Sequence, residues 1–335
     1  MQEAILYERV KPGIVKCTAC AHYCHVLKDR VGACGVRKNI DDKLYLLVYE
    51  KVAAAHIDPI EKKPLYHFFP NSQIFSIGTV GCPLKCEFCQ NYDISQSPKG
   101  KDGIIFGNEM KIKDIVNLTL KNNCIGIAYT YNEPGCFLEF ALDTAKLAKK
   151  HNLKNVFVSD GYESKESFEL IKNYIDAINI DLKSFSDDFY KNICGARLQP
   201  VLDSIKRFHK ANIWTELTTL IIPNHNDSEK ELKQIAEFIA SIDKNIPWHI
   251  SRFYPMYKML NTPETPLTTL KKAYEIGKKY LNYVYIGNVI DEKYESTYCP
   301  KCKKQVIKRI GYNVENKLKA NKCPYCNFEI KGVFE

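Results

Sequence analysis

Residues 81–91 read Gly-Cys-Pro-Leu-Lys-Cys-Glu-Phe-Cys-Gln-Asn, and they begin where a short strand-like run, residues 74–80, ends. Cys82, Cys86 and Cys89 stand at C-x3-C-x2-C spacing on this one loop. Three thiolates so placed can bind three irons of a cubane iron–sulfur cluster, which leaves the fourth iron without a nearby protein ligand. A closed structural site needs four ligands, so the loop indicates a metal centre with one open coordination position.

From about residue 74 the chain alternates β-branched or aromatic runs with amphipathic stretches, which is the pattern of βαβ units. The expected strands are 74–80, 126–130, 155–159, 177–182, 214–222, 248–253 and 283–286, and the expected helices include 111–122, 136–150, 165–174, 228–242 and 267–281. The pattern predicts an α/β fold and leaves open a full barrel, a partial barrel or a doubly wound sheet. Polar residues follow several of these strands, at the edge where parallel barrels carry their chemistry.

A loop in front of such a core argues against the alternative for the three cysteines, a zinc site that takes a distant fourth ligand from His56 or His67. Fourteen cysteines in a chain without an apolar leader indicate metal sites rather than disulfides, because cytosolic thiols are kept reduced. We expect a cytoplasmic protein without membrane contact. The net charge of +9 comes mostly from scattered lysines, which is typical of a solvated surface and allows a nucleic-acid partner without indicating one.

Four further cysteines lie near the N-terminus, at Cys17, Cys20, Cys24 and Cys34. Four soft ligands suit structural zinc, a rubredoxin-type iron or a second cluster, and the spacing leaves this choice open. Three isolated cysteines, Cys124, Cys136 and Cys194, are expected to be small buried apolar residues.

The C-terminal cysteines form two Cys-Pro-x-Cys turns, with Cys299 and Cys302 in the first and Cys323 and Cys326 in the second. This spacing predicts a zinc-ribbon or rubredoxin-like module with zinc or a single iron, because so short a module gains its stability from the metal. The predicted organisation is a Cys-rich segment at 1–70, a barrel at 71–295 and a metal module at 296–335.

The loop at 81–91 resembles the signature of the radical S-adenosylmethionine (SAM) superfamily, in which SAM chelates the open iron of a [4Fe–4S] cluster. Later segments resemble pyruvate formate-lyase activating enzymes and, more closely, the radical SAM proteins of the AmmeMemoRadiSam system. The matching segments run through nearly the whole chain, at 129–134, 159–162, 179–183, 216–227, 248–255 and 285–289. The resemblance implies one-electron cleavage of SAM to methionine and a 5′-deoxyadenosyl radical, which removes a hydrogen atom from the substrate.

The resemblance also assigns SAM-binding residues. It implies that Glu133 accepts a hydrogen bond from the SAM ammonium, although a carboxylate there also suits a helix N-terminus. Asp181 and Lys183 fall on one side of a strand and by resemblance hold the amino and carboxylate ends of SAM, the alternative being a structural salt bridge. The other residues assigned to the cofactor cavity are Phe88 against the adenine, Asn132, Asp160, Thr218, His249 and Arg252.

Four of these assignments carry a qualification. Asp160 stands where relatives more often have Asn, so a contact with a ribose hydroxyl is expected rather than an amide contact. Thr218, His249 and Arg252 also suit satisfied polar groups inside a barrel.

The resemblance implies an external electron donor of the ferredoxin or flavodoxin type. It favours an enzyme that acts on a macromolecule, by activating or modifying a protein or by modifying an RNA. A radical SAM enzyme acting on a small metabolite is the alternative. A third possibility is a non-catalytic metal-binding module that retains the barrel as a scaffold.

Overall fold

The computed structural model describes residues 1–99 and 103–335. The N-terminal segment forms small antiparallel sheets, in which β3 pairs with β2 and β4, and β6 pairs with β1 and β5. Its strands are β1 (Gln2–Glu3), β2 (Tyr7–Lys11), β3 (Ile14–Cys17), β4 (His25–Leu27), β5 (Arg37–Ile40), β6 (Lys43–Leu46) and β7 (Lys51–Val52). Cys17 ends β3 and Cys34 precedes β5, so these short strands hold the N-terminal cysteines in tight connections.

The core is an eight-stranded sheet in the order β8-β9-β11-β12-β13-β14-β15-β16. Its strands, with the outlying β10, are β8 (Ala54–Pro59), β9 (Gln73–Gly78), β10 (Asn108–Glu109), β11 (Gly126–Tyr129), β12 (Lys154–Ser159), β13 (Ala177–Asp181), β14 (Trp214–Ile221), β15 (Trp248–Arg252) and β16 (Val284–Gly287). From β9 to β16 neighbouring strands are parallel and follow chain order, whereas β8 is antiparallel to β9 and β10 pairs with β7. Within the described ranges β8 and β16 do not pair with each other, so the predicted α/β barrel is confirmed in its open, partial form.

The helices connect these strands and cover the sheet with their apolar faces. They are α1 (Tyr92–Gln96), α2 (Ile112–Lys121), α3 (Leu138–Lys150), α4 (Lys165–Ile171), α5 (Asp187–Phe189), α6 (Leu198–Lys210), α7 (Glu229–Ile242), α8 (Leu267–Lys278) and α9 (Glu292–Glu295). Ser164 and Ser228 begin α4 and α7 by accepting hydrogen bonds from backbone N–H groups of the first turn, as N-cap residues do. In the part of the chain that the structure describes, the helices are too short or too polar to cross a membrane.

The segment at 60–69 closes the N-terminal edge of the sheet, opposite the edge where the strands end. The Asn179 side chain donates to the Pro64 carbonyl at 2.8 Å. The carboxylate of Glu216 accepts from the backbone N–H groups of Tyr66 at 3.0 Å and His67 at 2.8 Å. These contacts reach two central strands, so the segment forms a floor beneath the sheet.

The C-terminal module packs against this floor. It is a three-stranded antiparallel sheet of β17 (Thr297–Tyr298), β18 (Gln305–Ile310) and β19 (Asn313–Asn316). Arg309 of β18 is fully buried and donates from Nη2 to the Tyr66 carbonyl at 2.6 Å and from Nη1 to Thr297 Oγ1 at 2.8 Å. A buried charge requires such partners, so Arg309 fixes the module to the barrel.

Candidate functional site

One cavity of about 1230 Å³ extends along the carboxyl ends of the parallel strands. The cysteine loop follows β9, and the other expected site residues lie on or just after β11 to β15. Parallel strands end at the same edge, so residues far apart in sequence meet there. The lining includes every residue expected at the central site: Cys82, Cys86, Phe88, Cys89, Asn132, Glu133, Asp160, Asp181, Lys183, Thr218, His249 and Arg252.

Asn132 holds the start of the cysteine loop. Its Nδ2 donates to the Gly81 carbonyl at 2.7 Å and to Thr79 Oγ1 at 3.1 Å, and its Oδ1 accepts from the Thr79 N–H at 3.2 Å. The amide thereby fixes the backbone immediately before Cys82. Asn132 is a positioning residue for the loop, because these contacts occupy both ends of its amide.

Lys183 joins two carboxylates in front of the cysteines. Its Nζ lies 2.8 Å from Asp160 Oδ1 and 2.8 Å from Asp181 Oδ2, and its side chain is 7% exposed. Burial alone would lower the pKa of Lys183, but the two carboxylates raise it well above its ordinary value. Asp160 Oδ2 also lies 3.4 Å from the sulfur of Cys82. The site therefore places a cation between two acidic groups at the end of the cavity that carries the cysteine loop.

Glu133 is a buried carboxylate that caps the turn at Pro134–Phe137. It accepts from the N–H of Gly135 at 3.0 Å, from the N–H of Asp160 at 2.6 Å and from the Ser159 hydroxyl at 3.1 Å. The capping role considered for this carboxylate is thus present. Glu133 also lines the cavity, so the same carboxylate both caps this turn and borders the site.

A second carboxylate, Glu163, shares the Ser159 hydroxyl, at 2.6 Å. Burial raises the pKa of Glu133 well above its ordinary value, and the negative charges of Glu163 and Asp160 add to this. Like charges so close disfavour ionisation of both groups. This pair was not predictable from the sequence, because Ser159 and Glu163 belong to no motif for acid pairs.

His249 and Thr218 are both satisfied within the protein. His249 Nε2 lies 2.7 Å from Glu216 Oε2, and Thr218 donates to Asn179 Oδ1 at 3.0 Å. Burial alone would raise the pKa of Glu216, but the hydrogen bond and charge of His249 hold it below its ordinary value. Glu216 was not expected as a functional residue, since its partner is 33 positions away.

Arg252 lies at the outer end of the cavity. Its Nε donates to the Thr265 carbonyl at 2.8 Å, and its Nη2 donates to Glu264 at 2.7 Å. It is therefore held by neighbouring loops rather than free.

Two charged residues of the floor also reach the cavity, and the sequence analysis did not single them out. Lys63 is 2% exposed, its Nζ lies 2.7 Å from Asp58 Oδ2, and burial lowers its pKa to about 8. Glu61 is 4% exposed, and its Oε2 has no hydrogen-bond partner among the described residues. The deep end of the cavity is thus polar, unlike an ordinary packed interior.

Phe88 and two of the isolated cysteines lie near the cysteine sets. The Phe88 ring is buried beside the Lys183 ammonium, 5.8 Å from the ring centroid. The Cys194 carbonyl accepts from the Lys85 N–H at 2.7 Å, next to Cys86, and Cys136 lines the same small cavity as Cys34. Cys136 and Cys194 are buried, as expected.

The C-terminal cysteines lie in the arrangement of a single-ion site. The four sulfurs of Cys299, Cys302, Cys323 and Cys326 all lie within 4.8 Å of one another, with 3.6 Å between Cys299 and Cys326. Thiolates about 2.3 Å from one tetrahedral ion have nearly this separation. The N-terminal cysteines instead line a separate small cavity.

Comparison with known proteins supports this arrangement. Residues 76–239 match the model of the radical SAM superfamily. An uncharacterized protein of Methanocaldococcus jannaschii is 40% identical over 338 residues, which cover 99% of this chain and 100% of that protein. The pyruvate formate-lyase-activating enzyme of Clostridium pasteurianum is 26% identical, over 48% of this chain and 67% of that enzyme.

Among solved structures, Streptococcus suis SuiB bound to precursor peptide SuiA aligns with a TM-score of 0.50 and 14% identity. The alignment covers 70% of this chain and 55% of SuiB, so the likeness concerns the fold. The open parallel sheet, the cysteine loop at its carboxyl edge and these matches lead to one assignment. The chain belongs to the radical SAM superfamily of enzymes and is related to the pyruvate formate-lyase activating enzymes.

Proposed function

We propose that this enzyme binds SAM beside a [4Fe–4S] cluster on Cys82, Cys86 and Cys89 and acts on a segment of a polypeptide. The observation that carries the proposal is the single cavity that joins these three cysteines to an exposed apolar mouth. When bound, the cluster and SAM supply a 5′-deoxyadenosyl radical by one-electron reductive cleavage, and this radical removes a hydrogen atom from the substrate.

The donor set fits the cluster and the cofactor. Three cysteines of one loop supply soft ligands for three irons, and the remaining iron suits a chelating amino acid moiety. Asp160, Asp181 and Lys183 present both signs of charge beside the cysteines, which suits the ammonium and carboxylate of SAM. Glu133 offers a further acceptor for the ammonium.

The mouth of the cavity supports a polypeptide substrate. Four of its lining residues are large and exposed: Tyr254 at 39%, Leu267 at 43%, Ile290 at 78% and Tyr312 at 59%. Exposed apolar groups around an opening are typical of docking sites for other proteins. The cavity also exceeds the usual range for a small ligand, about 300–1000 Å³, which leaves room for SAM and part of a larger substrate.

Two relatives add support from their names. One is an activating enzyme for another enzyme, and SuiB is bound to a precursor peptide. The polar floor at Glu61 and Lys63 favours a second candidate, a small polar metabolite, and the experiment below separates the two. An external one-electron donor of the ferredoxin or flavodoxin class is required in either case.

The first test concerns the reaction. The chain is reconstituted anaerobically with iron and sulfide, reduced with dithionite and assayed for 5′-deoxyadenosine. Cys86→Ala is expected to reduce cleavage to background, because the cluster loses a ligand. Cys124→Ala is the matched control, since Cys124 is buried outside the three cysteine sets. Cleavage that survives Cys86→Ala contradicts the assignment.

The second test concerns the substrate. The holoenzyme is given fractions of a deuterated cell extract, and deuterium in 5′-deoxyadenosine is measured by mass spectrometry. We expect label from the macromolecular fraction, lost after protease treatment and retained after ribonuclease treatment. Label from only the dialysable fraction supports the metabolite, and label lost only with ribonuclease supports RNA. Either result overturns the polypeptide proposal.

A further inference from the structure

Five cysteines surround the small N-terminal cavity. Four are the spaced set Cys17, Cys20, Cys24 and Cys34, and the fifth is Cys136 from the turn after β11. Cys17, Cys34 and Cys136 are nearly inaccessible, at 5%, 7% and 3% exposed. Folding therefore gathers more thiols here than the local spacing indicates, in a pocket away from bulk water.

The spacing of these sulfurs excludes the arrangement seen at the C-terminus. The C-terminal sulfurs already lie within 4.8 Å of one another, as one tetrahedral ion requires. Elsewhere in residues 1–99 and 103–335, no three ligand atoms of His, Cys, Asp or Glu lie that close together. The central trio, Cys82, Cys86 and Cys89, shares this wider spacing, and its cysteines bind different irons of one cluster.

A buried cation faces the same pocket. Arg37 lines it and is 2% exposed, and its Nη1 and Nη2 donate to the two Glu139 oxygens at 3.0 and 2.6 Å. Its Nε is buried and has no hydrogen-bond partner among the described residues. An N–H left unpaired in a protein interior is costly, whereas a thiolate-ligated cluster is an anion with sulfur acceptors. Arg37 therefore places a buried guanidinium beside these thiols, which suits an anionic occupant.

We propose that Cys17, Cys20, Cys24 and Cys34 hold a polynuclear iron–sulfur cluster, with Arg37 as its buried counter-ion. Cys136 lines the same cavity but stands outside this closely spaced set of four. Four protein ligands leave no open iron. The site is therefore suited to electron transfer and unsuited to binding SAM or substrate.

The segment that carries the N-terminal cysteines lies directly against the central cysteine loop. A Cβ on Gly81 would lie 2.8 Å from the Cys34 carbonyl oxygen, so the two cysteine segments touch. His22 Nε2 lies 3.0 Å from the Pro83 carbonyl oxygen.

This contact gives the cluster a role, which rests on the proposed function. A low-potential donor of the ferredoxin or flavodoxin class reduces the N-terminal cluster by one electron. The N-terminal cluster is then reoxidised as the same electron passes to the central cluster. No proton or bond change is required in this step, and the donor is the only co-reactant.

The site is tested without the central cluster. A variant with Cys82→Ala, Cys86→Ala and Cys89→Ala is reconstituted with iron and sulfide, and acid-labile sulfide, iron and zinc are counted. We expect at least about two sulfides per chain and a reduced-state electron paramagnetic resonance signal that SAM does not alter. Sulfide-free protein with one zinc or iron at this site overturns the proposal. This result does not depend on whether the proposed function is correct, because the variant lacks the central cluster.

Matched variants assign the sulfide to its ligands. The chain that already lacks the three central cysteines is called the triad-free chain. Adding Cys17→Ala and Cys20→Ala to it should abolish the remaining sulfide. Adding Cys302→Ala and Cys323→Ala to it should instead remove only the C-terminal metal. Sulfide that persists after the first change overturns the ligand assignment. The triad-free chain alone keeps the proposal testable if the multiple variants fail to fold.

The proposed electron transfer from the N-terminal cluster to the central cluster, here called the relay, is tested with two reductants. The Cys17→Ala/Cys20→Ala chain, with the central cysteines intact, should still cleave SAM with dithionite, a small reductant that reaches the central site directly. It should lose cleavage driven by reduced flavodoxin. Full activity with flavodoxin, or equal loss with both reductants, overturns the relay.

Discussion

Replacing Lys183 with methionine removes the cation shared by Asp160 and Asp181. The ammonium makes two 2.8 Å ion pairs from a side chain that is 7% exposed. Each charge-assisted hydrogen bond contributes about 1.5–3 kcal/mol, and removing one partner of a buried pair costs about 3–5 kcal/mol. Asp181 is 38% exposed and regains water, so we expect the free energy of unfolding to fall by about 3 kcal/mol, at the lower end of that range.

The matched control is Lys172→Met. Lys172 pairs with Glu169 at 2.7 Å, nearly the same length, but the two side chains are 36% and 51% exposed, and such pairs contribute about 0–1 kcal/mol. Urea unfolding of both variants and the parent chain, prepared with the same metal content and followed by circular dichroism, measures the two losses. Equal losses would refute the reasoning, because Lys183 differs from Lys172 both in its burial and in having a second carboxylate partner.

SAM binding provides a second readout for the same variant. If Lys183 holds the SAM carboxylate, the loss of about 1.5–3 kcal/mol raises the Kd by about 10- to 150-fold, while Lys172→Met leaves it unchanged. An unchanged Kd for Lys183→Met would show that the lysine is a structural salt bridge only.

Further outcomes concern the loop, the floor and the metal module. Gly13→Ala, with φ +82° and nothing within 4 Å of a new Cβ, should cost about 1–2 kcal/mol in urea unfolding. Gly81→Ala, with φ +98° and a Cβ 2.7 Å from Val36 Cγ1, should cost more and should reduce iron loading; equal losses would contradict the contact. Burial lowers the pKa of His67 in the folded protein to about 4. In the unfolded chain the pKa of this histidine is about 6.5, so below that pH the unfolded state binds a proton that the folded state does not. Stability should be unaffected by His67 above pH ~6.5 and fall by up to about 1.4 kcal/mol per pH unit between pH ~6.5 and ~4, a slope that His67→Gln should flatten in acid unfolding. Chelation of the C-terminal metal should remove hydrogen-exchange protection from 297–330 while β9 keeps its own, and uniform loss along the chain would count against a separate metal-stabilised module.

The sequence predicted the parallel strands closely, because each is a short run of β-branched and aromatic residues that ends in polar or turn residues. The run at 214–222 is Trp214–Ile221 in the structure, and the run at 177–182 is Ala177–Asp181. It did not predict β8, whose exposed residues at 56 and 57 break any two-residue alternation. Nor could it decide barrel closure, since closure depends on whether β8 and β16 meet rather than on either strand alone.

At the site, the predictable residues were those that directly follow a strand. Lys183 and Asp181 share a motif, and the parallel sheet brings that motif to the cysteine loop. The residues that support them were not predictable, because their partners come from other parts of the chain. Glu216 supports His249 from the neighbouring strand. Asn132 was expected at the cavity, but its hydrogen bond to the Gly81 carbonyl, 51 positions earlier, was not predictable.

The three cysteine sets show what spacing can and cannot reveal. In each set the local spacing identified the ligand type, because cysteines a few residues apart share one turn. The number of metal ions depends instead on how far apart the folded chain holds the sulfurs, and this distance separates the C-terminal four from the N-terminal four. Cys136 shows the same limit, since it is 102 positions after Cys34 yet lines the same cavity. The four C-terminal sulfurs already lie close enough together for one ion, whereas the N-terminal thiols are spaced more widely beside the buried Arg37, and on this basis we propose different metal chemistry at the two ends of this chain.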